Sequence, residues 1–457
     1  MLQIFNGWCQ STTFHGFSDL CKSPSWFWKL VWLTLLLASF SAMGFMLIQV
    51  LNSANKGAWT TTVYEKNSQS EDDFGALQFP VVTICNYNRL MRSQVAKHNL
   101  TAELIDLMND FTPANYAQGR SWISNQSAYR AITEEFTKWR DSHNFSSLLD
   151  VYWKMGPSCE ETIVQANIRG MVARRPCQSR YLNINYTMTK DFGKCLQLSW
   201  DSRATVYRAG KRSAVSLILN ANISEYLPGM SNNYLDEGFA IQISFKRWVE
   251  RGNWISVPTG FHSFIAMQKT KAVLLKTGTT ITTPPCVENE TLQFLNQFEY
   301  SREGCFEDCQ ARTTALLCGC CFFYQSATHR SCKLEEVYLC REEVKCTESC
   351  TGSNILATSS VSKFPTVAQM SSFNHYANVN MTLDQIRSNY AAVDLYYKTL
   401  SVKVVEQFER MPIEQVISNI GGQLGLWAGA SILSVLQLLI YFCKAGLTAL
   451  KSKSPPD

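Results

Sequence analysis

The residues with the clearest chemical possibilities lie near the C-terminal end of the chain. Gly421, Gly422, Gly425 and Gly429 recur through an uncharged run, with Gly429-Ala430-Ser431 near its middle. Two readings of this pattern stand open. Gly421, Gly425 and Gly429 form overlapping small-xxx-small patterns, which let helices pack closely. The same residues also expose backbone carbonyls and a hydroxyl, the oxygen ligands that replace the water a hard cation loses at a narrow point. Non-helical backbone at membrane depth must line a wet cavity or be buried in protein. A second cluster, Cys305, Cys309, Cys318, Cys320 and Cys321, is spaced tightly enough for zinc. Only 6 histidines are present to complete such sites, and 14 of the 17 cysteines fall between two apolar runs. That even number reads as a disulfide framework, with no resident metal or cofactor. Nothing reads as a nucleophile elbow, a His-based metal motif or a phosphate loop, so a membrane-tethered ectoenzyme finds no support.

The elements that must position these residues are two apolar segments. Leu30 to Leu51 and Gln415 to Cys443 carry no charge, and a spanning helix needs roughly 20 apolar residues. The first run is too long for a secretory signal and shows no small-residue cleavage site. Lys22 and Lys29 oppose Asp19 on one flank, while Lys444, Lys451 and Lys453 oppose Asp457 on the other. Basic flanks stay cytosolic. The expected order is a cytosolic segment (1–29), a first span (30–51), an extracellular domain (52–414), a second span (415–443) and a cytosolic tail (444–457). Sequons at Asn99, Asn125, Asn144, Asn185, Asn222, Asn289 and Asn380 all fall in the extracellular part and are candidate glycosylation sites. Removing the flanks leaves 37 basic and 35 acidic residues there. So balanced a charge points neither to nucleic acid nor to an acidic ligand.

Between the spans, Phe239, Ile241, Ile243 and Phe245 alternate with smaller or polar residues, as do Val215, Leu217 and Leu219, and Val393, Leu395 and Tyr397. Period two predicts half-buried strands. Leu104, Leu107 and Phe111 recur at helical spacing within 101–112. The cysteine-dense stretch 286–350 predicts a stapled helical lobe. The fold class is α+β: two transmembrane helices flanking a large, disulfide-rich α/β ectodomain. Both ends of that domain lead into membrane helices, through which strain could pass.

Several motifs in order resemble the degenerin, epithelial sodium channel and acid-sensing ion channel family over nearly the whole chain. His15-Gly16 stands before the first span. Phe79-Pro80-Val81-Val82-Thr83-Ile84-Cys85-Asn86 is similar to the family's first ectodomain strand, and Gly193-Lys194-Cys195 to the segment of its cysteine partner. Tyr300-Ser301, Cys305, Cys309 and Cys318-Gly319-Cys320 follow. Ile420 to Ser431 looks like the pore signature. The resemblance implies a sodium-permeable trimer of this chain or of related subunits, held in membrane lipid and blocked by amiloride-type compounds. It implies a filter at Gly429, Ala430 and Ser431, a pore mouth and lining with Asn419, Gly422, Gly425 and Gln437, and His15 and Gly16 near the inner mouth. A palm sheet, a thumb at 286–350 and a finger within 88–195 are implied as well. Another two-span trimeric channel, of the kind gated by extracellular ATP, would lack the Phe79–Asn86 segment and the Gly-Ala-Ser step. A non-conducting accessory subunit or receptor stays open.

The family pattern further implies disulfides Cys85–Cys195, Cys159–Cys177, Cys286–Cys350, Cys305–Cys346, Cys318–Cys340 and Cys320–Cys332. The chain departs from it at Val344, where the family has the partner of Cys309. The extra Cys321 makes a substituted Cys309–Cys321 bridge the expectation. Acid-sensing relatives use clustered carboxylates and a histidine near the first strand. Here only Arg-Glu-Glu-Val-Lys separates Cys340 from Cys346, and Trp59 to Phe79 holds no histidine. Glu342 and Glu343 are therefore not expected to form the main activator. An extracellular ligand such as a peptide, or a constitutive leak, takes that place. Where acid-sensing members carry pore carboxylates, this chain has Asn419, Gln437 and Ile440.

Overall fold

The computed structural model describes residues 7–9, 12–55, 59–67, 77–110, 126–168, 170–173, 175–179, 182–189, 191–200, 205–227, 236–245, 254–274, 286–287, 292, 300, 302–320, 348–409 and 411–451. The chain divides into two compact units. One holds both termini (1–62, 277–284 and 407–457); the other holds 63–276 and 285–406.

The first unit is helical. A short helix, Phe17–Lys22, precedes a 30-residue helix, Trp26–Asn55. At 1.5 Å per residue the latter is about 45 Å long, more than the roughly 30 Å of a bilayer's hydrocarbon core. Phe27, Leu33, Leu37, Phe45 and Ile48 are exposed along it, an apolar surface suited to lipid. Among the described residues it alone is long and apolar enough to cross a membrane. The second apolar run is not the single helix its composition suggests. It forms two helices, Ile413–Ala428 and Ile432–Lys451, interrupted at Gly429–Ser431.

The second unit is built on two sheets. The larger follows the order β1 (Trp59–Asn67), β17 (Ser401–Glu409), β12 (Phe261–Val273), β16 (Tyr390–Tyr397), β9 (Val215–Asn220), β4 (Ile163–Ile168) and β5 (Met171–Ala173), with β15 (Thr351–Lys363) paired to β12. β12 is its spine. It pairs antiparallel with β15 along its whole length, and in parallel first with β16 (His262 opposite Ala392) and then with β17 (Thr270 opposite Lys403). The smaller sheet runs β11 (Ile255–Pro258), β10 (Gly238–Ser244), β3 (Val81–Asn86), β7 (Gly193–Trp200) and β6 (Leu182–Thr189), and two short pairs join β2 (Leu77–Gln78) to β8 (Thr205–Val206) and β13 (Cys286–Val287) to β14 (Glu348–Ser349). The strands expected at 215–219, 239–245 and 393–397 are thus β9, β10 and β16. β9 alternates buried and half-buried, as a one-sided strand should. β10 buries both faces over its first five residues, so Ala240 and Gln242 are inside as well.

The faces meet in one core. Val82, Ile84, Leu198, Phe239 and Ile241 of the smaller sheet pack with Leu217, Ile265, Met267, Val393 and Tyr397 of the larger. Phe79-Pro80 is pinned at its edge. The Phe79 ring stands edge-on to Trp200 (5.0 Å) and Tyr397 (6.3 Å). Trp200 Nε1 donates to Pro80 O (2.7 Å), and the Tyr397 hydroxyl donates to Gln78 O (2.7 Å). A second core gathers helices Ala102–Asp110, Gln126–Ser142 and Leu148–Met155 through Leu104, Leu107, Phe136, Trp139 and Tyr152.

The structure joins Cys85–Cys195, Cys159–Cys177 and Cys286–Cys350. Cys305 and Cys320 are also disulfide-bonded, while Cys321, Cys332, Cys340 and Cys346 lie outside the described residues, as do Asn125, Asn289, Glu342 and Glu343. One expectation is corrected: Cys309 is a free thiol. It sits on helix Arg302–Cys318, where Arg312 on the next turn donates from Nη2 to its Sγ (3.4 Å). Its sulfur thus lies along its own helix beside Arg312, and the Cys309–Cys321 bridge is not made.

Two outcomes follow from this frame. Cys85–Cys195 ties neighbouring strands across a separation of 110 residues. A loop of that size contributes about 4–5 kcal/mol by restricting the unfolded chain, so Cys85→Ser should lower the stability of the two-sheet unit by up to that amount in thermal unfolding. The second concerns His98. Burial, then the nearby His143, Lys97 and Lys154, hold this ring below the ordinary histidine range. The folded lobe therefore favours neutral His98. The unfolded chain takes up the proton first, so the contribution of neutral His98 to stability declines as pH drops through about 6.5, and none of it remains below the folded pKa. An NMR titration should place the His98 midpoint below that of a model histidine, and His98→Gln should flatten the lobe's stability between about pH 7 and 5.

Candidate functional site

The site is the interruption of the second apolar run, within the first unit. Its leading helix begins after Pro412, with Glu414 in the first turn opposing the positive helix end. Asn419, Gly422, Gly425 and Gly429 follow at spacings of three and four, so they share a helix face. A Cβ added at Gly421, Gly422 or Gly425 would meet nothing within 4 Å. Close packing inside this chain is therefore not what these glycines serve. The room they leave opens outward. Asn419 Oδ1 accepts from Gln415 Nε2 (3.3 Å), one turn before it.

Gly429 ends the helix in the left-handed conformation (φ 62°), which side chains other than glycine rarely adopt. Its N–H returns to Gly425 O (3.0 Å), and that of Ala430 reaches Leu424 O (3.1 Å). Ser431 opens the trailing helix through a reciprocal cap with Ser434. Ser434 N donates to Ser431 Oγ (3.2 Å), and Ser431 N donates to Ser434 Oγ (3.1 Å). Gly429 and Ala430 are left outside either helix, with Ala430 buried and Ser431 exposed. Gln437 is half-buried on the trailing helix; Ile440 is exposed.

The N-terminal segment closes on this break. His15 N donates to Ala428 O (3.0 Å). The His15 ring lies so close to the Gly429 Cα that any Cβ there would collide with it. Thr13 Oγ1 is hydrogen-bonded to Ser434 Oγ, which is buried. From the other side, Ser39 Oγ on the long helix donates to Trp427 O (2.6 Å). Gly16 also has a positive φ (80°), and its bare Cα fits against Leu36, whose Cδ2 a Cβ would meet at 3.1 Å. Trp8, Phe14, Phe17 and Phe40 cluster in edge-on and tilted contacts, with centroids 5.4–6.3 Å apart. Cys9 and Cys21 form a disulfide across this segment.

His15, Gly16 and Gly429 to Ser431 are therefore brought together in space. Thr13, Ser39, Trp427 and Ser434 were not singled out from the sequence. Ser431 and Ser434 at spacing three were a legible cap signal, whereas a serine donating to a carbonyl 388 residues away has no local signature. Among the described residues no group of three or more His, Cys, Asp or Glu side chains could hold a metal ion.

The arrangement is a helix interrupted inside an apolar run, its loose backbone clasped by an N-terminal loop beside one helix long and apolar enough to cross a membrane. The amiloride-sensitive sodium channel family model matches residues 8–441, and the chain belongs to that family. It is an ion-channel subunit and not an enzyme. The bile acid-sensitive ion channel of Mus musculus is 24% identical, over 94% of this chain and 86% of that protein. The acid-sensing ion channel 1C of Danio rerio is 23% identical, over 80% of this chain and 70% of its own length. A solved proton-activated chloride channel covers 91% of this chain and 98% of its own, at 7% identity and a TM-score of 0.29, too low to carry a fold assignment.

Gly429→Ala should cost about 1–2 kcal/mol in backbone conformation and also push out the His15 ring. His15→Ala should relieve only the second effect. Current density of the two single variants and the double should therefore show the double losing less than the sum. Strict additivity would mean that the ring contact carries no energy.

Proposed function

We propose that this chain is a subunit of a trimeric, amiloride-sensitive, sodium-permeable cation channel of the plasma membrane, with two spans and both termini cytosolic. It is opened by an extracellular ligand or conducts constitutively. The observation that carries this reading is the break at Gly429–Ser431, which leaves backbone outside the helical ladder within an apolar run. Three copies would bring three such breaks around one axis, where carbonyl and hydroxyl oxygens replace a sodium ion's water. The outward-open Asn419–Gly422–Gly425 face supports close approach of those copies. Sodium is cargo here, and the site calls for no resident cofactor.

Ligand gating finds support in relatives named for bile acids, and proton gating in others named for acid. The short segment between Cys340 and Cys346 favours a ligand, with a peptide as one class. Asn419, Gln437 and Ile440 replace acidic rings that would attract cations and bind calcium. The filter then works without acidic support, with modest preference for sodium over potassium and weak calcium block at Asn419. Gln437 is the more informative of the two deeper positions, because Ile440 is exposed and suits a lipid-facing side chain.

Expression of the chain alone with voltage-clamp recording tests this. Expected are an amiloride-blocked cation current, modest sodium selectivity from reversal potentials, and a rise in selectivity with Gln437→Glu. Strong selectivity unchanged by that substitution would remove any role for the carboxylate positions. A current that appears only with a related subunit would make this chain an accessory. A large inward current on stepping from about pH 7.4 to about pH 6, abolished by neutralising Glu342 and Glu343, would establish proton gating instead.

A further inference from the structure

The Cys9–Cys21 disulfide lies in the unit that holds the helix break, apart from the three fully described bridges of the two-sheet unit. Its 12-residue span contains Thr13, His15 and Gly16, the residues that touch Ser434, Ala428 and Leu36. Cys9 is fully buried beside Trp8, while Cys21 is half-exposed on helix Phe17–Lys22, next to Lys22. We propose that Cys9 and Cys21 are a thiol–disulfide clasp that sets how firmly the His15–Gly16 segment grips the broken span, and through it the conducting state.

This clasp rests on the reading above that the N-terminal segment is cytosolic. Structural disulfides are rare in that compartment, because its glutathione pool keeps thiols reduced. A dithiol placed there rests open and closes on an oxidising signal. The oxidant is a low-molecular-weight disulfide of the glutathione class. The Cys21 thiolate, the more accessible of the two, attacks one sulfur of that disulfide. It forms a mixed disulfide and expels one small thiolate, which takes up a proton. The Cys9 thiolate then attacks the Cys21 sulfur and expels the second small thiolate. Two electrons pass from the protein dithiol to the small disulfide, which leaves as two thiols.

Closure matters because the segment's hold on the break is slight. Among the described residues it rests on a backbone bond (His15 to Ala428), a hydroxyl contact (Thr13 to Ser434) and the His15 ring over Gly429. Bridging Cys9 to Cys21 removes open-chain conformations that compete with docking. The closed clasp keeps His15 on the break and sustains the current; the open clasp releases it.

The test uses the full chain with Cys443→Ser, since Cys443 is a free, exposed thiol on the trailing helix. Inside-out and outside-out patches receive glutathione disulfide, then a membrane-impermeant phosphine reductant. From the inner face, glutathione disulfide should raise the sodium current roughly fivefold or more and reductant should return it to its resting level. Neither reagent should act on Cys9→Ser or Cys21→Ser. The same protein in detergent, reduced or oxidised, is followed by hydrogen exchange at the His15 amide, which should quicken on reduction. An effect confined to the outer face and lost in Cys9→Ser would overturn the topology and leave the clasp standing. Absence of any current would count against the conduction reading, with His15 exchange then deciding the clasp. Exchange indifferent to redox state, or a wild-type response retained in Cys9→Ser, overturns the proposal.

Discussion

A helix that breaks must find new partners for the backbone groups its ladder no longer serves, because a buried N–H or C=O left unpaired is costly. Around Gly429 the replacements come from several sources. The Gly429 and Ala430 N–H groups fold back on Gly425 and Leu424, Ser431 and Ser434 cap one another, and Trp427 O and Ala428 O are taken by Ser39 and His15. The partners come from three places in the chain. An interruption that looks local in sequence is therefore held by the N-terminal segment and the long helix as much as by its own residues. Gly429 is the hinge of this arrangement because two demands fall on it together: a left-handed backbone, and a bare Cα against the His15 ring.

Much of the fold was legible because burial writes simple periods into strands. Val215, Leu217 and Leu219 alternate against a half-exposed face, and β9 sits there with that pattern. Phe239 to Phe245 read the same way, yet β10 is covered on both sides, so its small and polar positions are inside too. Alternation reports which side chains are large, and it is silent on whether a second layer covers the other face. The helix at 102–110 was legible from Leu104 and Leu107, both buried. The apolar run 415–443 showed its hydropathy, but not that one left-handed glycine would divide it.

The functional residues divide similarly. His15, Gly16 and Gly429 to Ser431 stood out through motif resemblance, since a lone His-Gly pair has no physical signature of its own. Thr13, Ser39 and Ser434 act through single hydroxyls toward groups distant in sequence, which leaves no period and no spacing. Cys309 shows a limit of pairing by elimination. A surplus cysteine nearby suggested a bridge, but the helix turns its sulfur toward Arg312 instead.

The order of strands in the larger sheet bears on how the domain is made. β16, at residues 390–397, lies between β12 and β9, whose residues leave the ribosome more than a hundred positions earlier. Until β16 arrives, both neighbours present unpaired edges, the surfaces on which strands of other chains add. Parallel, long-range pairing of this kind is also slow to form. The nascent domain is thus incomplete at its centre rather than at its rim for most of its synthesis. A stop codon just before Tyr390 would do more than remove the trailing helices: it would leave a sheet with its middle strand missing, a substrate for chaperones and quality control rather than a shortened channel.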